Sequence, residues 1–279
     1  MFAYVLMPCA HFRAIEAEPS MLAFFVPTQA GLTMSVPFYV FVIVGLLAQM
    51  VDGALGMAYG ITSSSLLLGL GLAPAVVSAS VHAAEVATTG ISGISHGYFG
   101  NIDRKLLIKL ALPGALGGMI GALLLTHLDT PWLRPIIAVY LLILGVYLII
   151  RAYRGLNKAA KVSHVKTTAV IAGFLDAVGG GGWGPMTTTR LISQNMEPRY
   201  AIGTVNAAEF FVSLAITIVF FSTLDLSHLS TILGLLIGGA IAAPFAAWLT
   251  KHLPARITMG VVGSLVVVIS IINIWRYFA

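Results

Sequence analysis

From Asp52 to Thr89 the chain matches its own stretch from Asp176 to Ser213 without a gap, at a spacing of 124 residues. Nine of the 38 paired positions are identical: Asp52/Asp176, Gly56/Gly180, Gly60/Gly184, Leu67/Leu191, Pro74/Pro198, Val81/Val205, Ala83/Ala207, Ala84/Ala208 and Glu85/Glu209. Ser63, Ser64, Ser65 and Ser80 fall opposite Thr187, Thr188, Thr189 and Thr204, so hydroxyls recur as well. A chain that echoes itself in this way builds its fold from two copies of one unit. Each copy joins a glycine-broken segment to carboxylates set among apolar residues. In membrane proteins that combination points to a transport site between two halves.

The membrane assignment rests on composition. The chain is 58% apolar and 9% charged, with a mean hydropathy of +0.97, where a soluble domain carries about a quarter charged residues. Its apolar runs are long and helical, unlike the roughly ten-residue alternating strands of an outer-membrane barrel. The net charge of +5 sits in short loops, where it sets orientation, and no nucleic-acid partner is expected. Cys9 is the single cysteine, which excludes an intrachain disulfide and a cysteine metal cluster.

The expected organisation is a lead-in (1–35), a first membrane repeat (36–152), a basic linker (153–166) and a second membrane repeat (167–279). The lead-in lacks a basic start followed by a clean apolar run, so a cleaved signal peptide is not expected. It reads as loosely ordered. Repeat one divides into apolar segments near 36–56, 58–72, 75–97, 106–128 and 132–151. Repeat two divides near 167–181, 184–194, 198–222, 229–250 and 256–276. Most approach the ~20 residues of a spanning helix. The second of each set is too short, and such pieces are tolerated only when buried in protein or lining a cavity. The fold class is all-α: a polytopic membrane protein of two inverted repeats, each with a broken or re-entrant helix.

Lysine and arginine set the orientation. Arg151, Arg154, Lys158, Lys161 and Lys166 make the linker cytoplasmic. Counting crossings outward brings Arg104, Lys105, Lys109, Arg190, Arg199, Lys251 and Arg256 to the same side, twelve of fifteen basic residues in all. Only Arg13, Arg134 and Arg276 fall outside. An odd number of crossings per repeat inverts the second copy relative to the first and puts both termini outside. Trp132, Trp248 and Tyr277 lie near segment ends, as an aromatic belt requires.

Four of the ten acidic residues lie inside apolar segments: Asp52, Glu85, Asp176 and Glu209. A carboxylate at the bilayer centre costs ~2.5–3.5 kcal/mol or more, so it faces protein or water and serves a purpose. One reading is that these acids cap helix ends or bond nearby backbone. The sharper reading is proton or cation coupling by Asp52, Glu85, Asp176 and Glu209, with His82 three residues before Glu85 on one helix face. His82 with Glu85 could also bind a metal. Asn206 stands at the matched place in repeat two, so no symmetric metal site is assigned, and a hydrogen bond between helices is the preferred role for both residues.

The breaks run from Asp52 through Gly56 to Gly60, and from Asp176 through Gly179, Gly180, Gly181, Gly182 and Trp183 to Gly184 and Pro185. Four successive glycines cannot form a stable helix interior, at ~1 kcal/mol each relative to alanine. They let backbone N–H groups turn toward a ligand, and Pro185 suits the first turn of a new helix. A helix N-terminus with free N–H groups and adjacent hydroxyls is an anion site. The expected substrate-binding residues are Gly56, Gly60, Ser63, Ser64, Gly180, Gly181, Gly182, Gly184, Thr187, Thr188, Thr204 and Asn206. The alternative is that the glycines serve close helix packing. Arg190 is a further anion partner if buried, or else snorkels to the cytoplasmic face.

These features resemble the TauE/SafE family of sulfite exporters, also called TSUP permeases. The resemblance lies in the two glycine breaks, the short apolar segment and proline-led turn after each, and the stretch Ala201-Ile202-Gly203-Thr204. The stretch from His96 through Gly97, Tyr98, Phe99, Gly100, Asn101, Ile102 and Asp103 to Arg104 is similar as well. It covers residues 38–276. The family implies transport of small sulfur-containing anions such as sulfite or sulfonates. In repeat one, Leu55, Met57 and Ala58 replace glycines, which bears on whether both halves meet substrate equally. The expectation is a permease for such an anion, coupled to protons and working by alternating access, with no cofactor. Its alternatives are a divalent-metal or other cation permease using the intramembrane carboxylates, and a membrane scaffold subunit. No HExxH motif and no nucleophile with a matched base supports an enzyme.

Overall fold

The structure, a computed structural model, describes residues 23–27, 33–55, 58–128, 132–154, 164–194, 196–224, 229–250 and 255–278. Among the described residues, ten helices follow a short hairpin. They are α1 (Phe38–Leu55), α2 (Tyr59–Gly69), α3 (Pro74–Tyr98), α4 (Arg104–His127) and α5 (Leu133–Arg154) in the first half. The second half has α6 (Val165–Gly179), α7 (Trp183–Ser193), α8 (Pro198–Thr223), α9 (Leu229–Thr250) and α10 (Ala255–Phe278). Each matches an expected apolar segment within a few residues. The protein is all-α and polytopic.

Most of the lead-in lies outside the described residues, and its described end forms a hairpin. Ala23–Pro27 (β1) pairs antiparallel with Thr33–Pro37 (β2), Phe24 opposite Val36 and Val26 opposite Met34. Aromatic and β-branched residues at those places favour extended backbone. The strand runs directly into α1, whose first residue is Phe38.

Helix ends follow local chemistry. Pro74 and Pro198 open α3 and α8, where a missing N–H costs nothing. Asp103 caps α4, accepting from the N–H groups of Lys105 at 2.9 Å and Leu106 at 3.1 Å. Among the described residues, four stretches are long and apolar enough to cross a membrane: Arg104–His127, Leu133–Arg154, Tyr200–Thr223 and Met259–Phe278. Phe38–Asp52 and Leu229–Ala242 are shorter apolar pieces. At a 1.5 Å rise per residue, the 11 residues of α2 and of α7 reach only ~16 Å, about half the ~30 Å hydrocarbon core.

The halves interlock. α1 packs chiefly on α9 and α6 on α4, each helix against one from the other half; α3 lies on α8 and α5 on α10. Exchanging the first five helices with the second five maps these principal pairs onto themselves. Small residues make the closest approaches: Gly45 and Gly238 between α1 and α9, Gly117 and Gly173 between α4 and α6, and Gly145 and Gly263 between α5 and α10. Lipid is as apolar as leucine, so helices associate in membranes through such close backbone packing. Large apolar side chains such as Ile94, Leu112 and Ile143 stay exposed, which suits a lipid-facing surface.

Candidate functional site

The same hydrogen bond recurs in both halves. Asp52 Oδ1 accepts the backbone N–H of Tyr59 at 3.2 Å and of Ala58 at 2.8 Å. Asp176 Oδ1 accepts the backbone N–H of Trp183 at 2.9 Å. In each case the side chain reaches seven residues forward across the break and caps the first turn of the short helix. This corrects one expectation. The N-termini of α2 and α7 are not left with a full set of free N–H groups, because each already donates to a carboxyl oxygen of its own chain.

The two breaks meet. A Cβ on Gly60 would lie 2.8 Å from Gly181 Cα and 3.0 Å from both the Gly180 carbonyl oxygen and Glu85 Oε1. A Cβ on Gly181 would overlap the backbone of Gly60 and Ile61. Gly180 (φ +66°) and Gly182 (φ +148°) hold backbone conformations that side chains resist. The glycine run therefore both turns the chain and admits the first turn of α2 against it. Ser64 Oγ donates to the Gly180 carbonyl, and Tyr140 Oη donates to the Gly181 carbonyl at 2.9 Å.

Against this crossing lies a buried titratable cluster. His82, Glu85 and Asp176 each offer an atom within 4.8 Å of the others. His82 Nδ1 lies 2.7 Å from the Ser78 carbonyl oxygen and 3.2 Å from Ser78 Oγ. That hydroxyl spends its hydrogen on the Ala177 carbonyl at 2.5 Å. Both neighbours of Nδ1 can thus only accept, which assigns the ring proton to Nδ1. Nε2 sits 3.1 Å from Asp176 Oδ2. Two lone pairs cannot hold that contact, so a proton lies on the line between them, carried by an imidazolium or by a carboxylic acid. Ser213 Oγ donates to Glu85 Oε2 at 3.3 Å. Imidazole with two carboxylates is also a donor set that suits a divalent transition ion.

The remaining expected residues divide between crossing and scaffold. Gly184 and Thr188 are buried in the first turns of α7, and Thr188 Oγ1 has no hydrogen-bond partner among the described residues. Ser63 and Thr187 bond back to the carbonyls of Tyr59 and Trp183, one turn earlier. Thr204 is drawn elsewhere: its Oγ1 accepts the Asp103 backbone N–H at 2.9 Å, so it secures the loop before α4. Asn206 Nδ2 donates to Ser92 Oγ at 3.1 Å, tying α8 to α3. Glu209 is half-buried on α8, within electrostatic reach of Asp176 and Asp52. Arg190 lies in the last turn of α7. Gly56 lies outside the described residues, as does the side chain of Trp248.

Several participants went unmarked in the sequence. Tyr140 sits in a uniformly apolar segment, yet its ring fills the space over Gly179 and Gly182. Ser78 orients His82, and Ser213 reaches Glu85 from the other half. Trp183 is fully buried, with Nε1 donating to the Val205 carbonyl at 3.3 Å, and Gly114 makes room for its ring. The alignment did place Ser213 opposite Thr89, which was the one available signal for its position.

Comparison with known proteins bears on this geometry. The model of the family described as Sulfite exporter TauE/SafE matches residues 41–272. A Bacillus subtilis (strain 168) protein named probable membrane transporter protein YtnM is 43% identical over 249 residues, covering 85% of this chain and 83% of that relative. No solved structure matches the chain.

Proposed function

Because the chain belongs to the sulfite exporter TauE/SafE family, and so is a multi-pass membrane transporter and not an enzyme, we propose that it carries a small sulfur-containing anion, such as sulfite or an organosulfonate, in exchange with or alongside a proton. The observation that carries the coupling is the His82–Asp176 contact, which needs a shared proton and sits where the two breaks meet. Backbone N–H groups and hydroxyls around Gly60, Ser64, Gly180, Gly181 and Thr188 supply the anion's contacts when the first turn of α2 separates from the α6–α7 break. Coupling follows because Asp176 belongs to both parts: it caps α7 and holds the proton against His82. A change in its protonation alters the hold on the helix that lines the site.

The contact set, symmetric under exchange of halves, and the one-sided basic loops support an inverted repeat. Interlocking refines alternating access: α1 and α6 are each packed into the opposite half, so the halves do not move as whole blocks. The short helices move within them.

The test is a proteoliposome flux assay with sulfite, sulfate, methanesulfonate and divalent metals, with and without a pH gradient. Sulfite or sulfonate flux that responds to the gradient in wild type, and loses that response in Asp176→Asn, is expected. Flux of wild type and variant with identical pH profiles would sink the coupling role. A second reading, cation transport, is favoured by the His82–Glu85–Asp176 donor set, whose Nε2 faces carboxylates while Nδ1–H is fixed by a carbonyl, as in metal-binding histidines. Flux of divalent metal without anion flux would establish it.

A further inference from the structure

The end of α2 remote from the crossing carries a second cluster that transport at the centre does not use. α2 ends at Gly69, and its last carbonyls need partners. Arg276 Nη1 donates to the Gly69 carbonyl at 3.1 Å, and Arg134 Nη2 donates to the Gly71 carbonyl. Each guanidinium presents five N–H donors, so capping uses only part of the two forks. Asn273, one turn before Arg276 on α10, has its Nδ2 buried with no hydrogen-bond partner among the described residues. These groups line a cavity of about 120 Å³ together with Leu68, Ala138 and Tyr277. Among the described residues lining it, none is acidic.

The electrostatic balance favours an anion there. A helix C-terminus contributes about −0.5 charge, against two guanidinium charges. Capping alone needs no cavity beside the two guanidinium groups, and Asn273 adds an amide to its wall. Planar forks with spare N–H groups match the oxygens of a tetrahedral or pyramidal oxyanion. Trp132 packs with tilted rings near Tyr277 and Phe278, at 5.7 Å and 6.4 Å between centroids, an aromatic group typical of interface depth. α2 spans ~16 Å, so this cavity lies about half a membrane from the crossing, on the face where the sequence places only a few basic residues. Arg276 is exposed at the surface beside the cavity.

We infer that Arg134, Arg276 and Asn273 form an interfacial docking site for an oxyanion, which captures substrate before it reaches the crossing. Capture of substrate rests on the anion reading above; binding of an oxyanion does not. The same chemistry would also hold a lipid phosphate, and the experiment separates the two.

Purified full-length protein in neutral detergent is titrated with sodium sulfate or sodium sulfite at constant ionic strength while Tm is followed. Phosphatidylglycerol is added in a parallel arm. Wild type gains thermal stability with the oxyanion. In the double variant Arg134→Gln and Arg276→Gln, which keeps an N–H donor for each carbonyl, the apparent affinity falls at least tenfold. In liposomes the variant raises KM for sulfite at least tenfold, with kcat within twofold. Arg134→Lys with Arg276→Lys retains charge without the fork and falls between. If the glutamine variant does not fold, Asn273→Leu is read in its place, with a threefold or greater loss expected. In Gly180→Leu, where the crossing is blocked and flux is lost, oxyanion stabilisation remains and is removed by adding Arg134→Gln with Arg276→Gln, so failure of the central reading is told apart from failure of this one. Arginine-dependent stabilisation by phosphatidylglycerol alone assigns the site to a lipid headgroup. If neither sulfate, sulfite nor lipid stabilises wild type more than the variants, the docking site does not exist.

Discussion

Gly181→Ala tests the crossing most directly. The added methyl would lie 2.5 Å from Gly60 C and 2.9 Å from Ile61 Cα, with the Ile61 nitrogen closer still. Carbon atoms prefer ~3.5–4.0 Å, so α2 and the break must part by about 1 Å. All three neighbours are backbone, which cannot swing aside as a side-chain tip does. Forced overpacking of this kind costs about 1–3 kcal/mol. Parting the elements also strains the Ser64–Gly180 bond across the contact, worth about 0.5–1.5 kcal/mol. The total, about 1.5–4.5 kcal/mol by these two ranges, predicts a Tm several degrees below wild type. Flux should fall at least tenfold, because the contact that must open and close no longer closes. Gly260→Ala is the control: among the described residues its methyl would meet only Ala152 Cβ, at 3.8 Å, and helix propensity favours alanine by ~1 kcal/mol. The measurements are thermal unfolding in detergent and sulfite flux in proteoliposomes. If Gly181→Ala matches Gly260→Ala in both, the two breaks are not in functional contact and the reasoning fails.

Asp176→Ala should destabilise by about 2–5 kcal/mol, since it strands the buried Trp183 N–H and leaves His82 without its partner. Asp176→Asn retains an oxygen for Trp183 and should stay within about 1.5 kcal/mol of wild type, a difference that thermal unfolding resolves. Gly180→Leu should insert normally yet abolish sulfite flux, because leucine resists the left-handed backbone there and meets Ser64; unchanged flux in vesicles would remove Gly180 from the site. Glu209→Gln should flatten the pH dependence of flux, and an unaltered profile would make Glu209 structural. Tyr140→Phe, which loses only the bond to Gly181, should lower stability by about 0.5–1.5 kcal/mol; an unchanged Tm would mean that the hydroxyl does not secure the break.

Much of the molecule was legible in the sequence because hydropathy, glycine and proline act locally. Ten helices fell where ten apolar segments were read. The two short helices followed from glycine and proline at their ends, and the matched pairs Asp52/Asp176 and Glu85/Glu209 identified the intramembrane acids. The echo also foretold that one half's chemistry would recur in the other, and the two aspartate caps do recur at the same seven-residue reach.

Tertiary structure decided which of those residues meet. Sequence treated Asp52 and Asp176 as equals, but only Asp176 is brought to a histidine, because His82 sits on α3 facing α6 while Asn206 reaches Ser92. Thr204 looked equivalent to Ser80 in the alignment and was claimed by the α3–α4 loop instead. Tyr140 carried no mark, since a tyrosine in an apolar helix looks alike whether it faces lipid or a glycine turn. The interlocking of halves was equally invisible. In lipid, apolar surface gains little by pairing with other apolar surface, so hydropathy names the helices without naming their partners. The partners are chosen by where backbones can approach at Gly45, Gly117, Gly173 and Gly238, and that choice exists only once the helices are side by side.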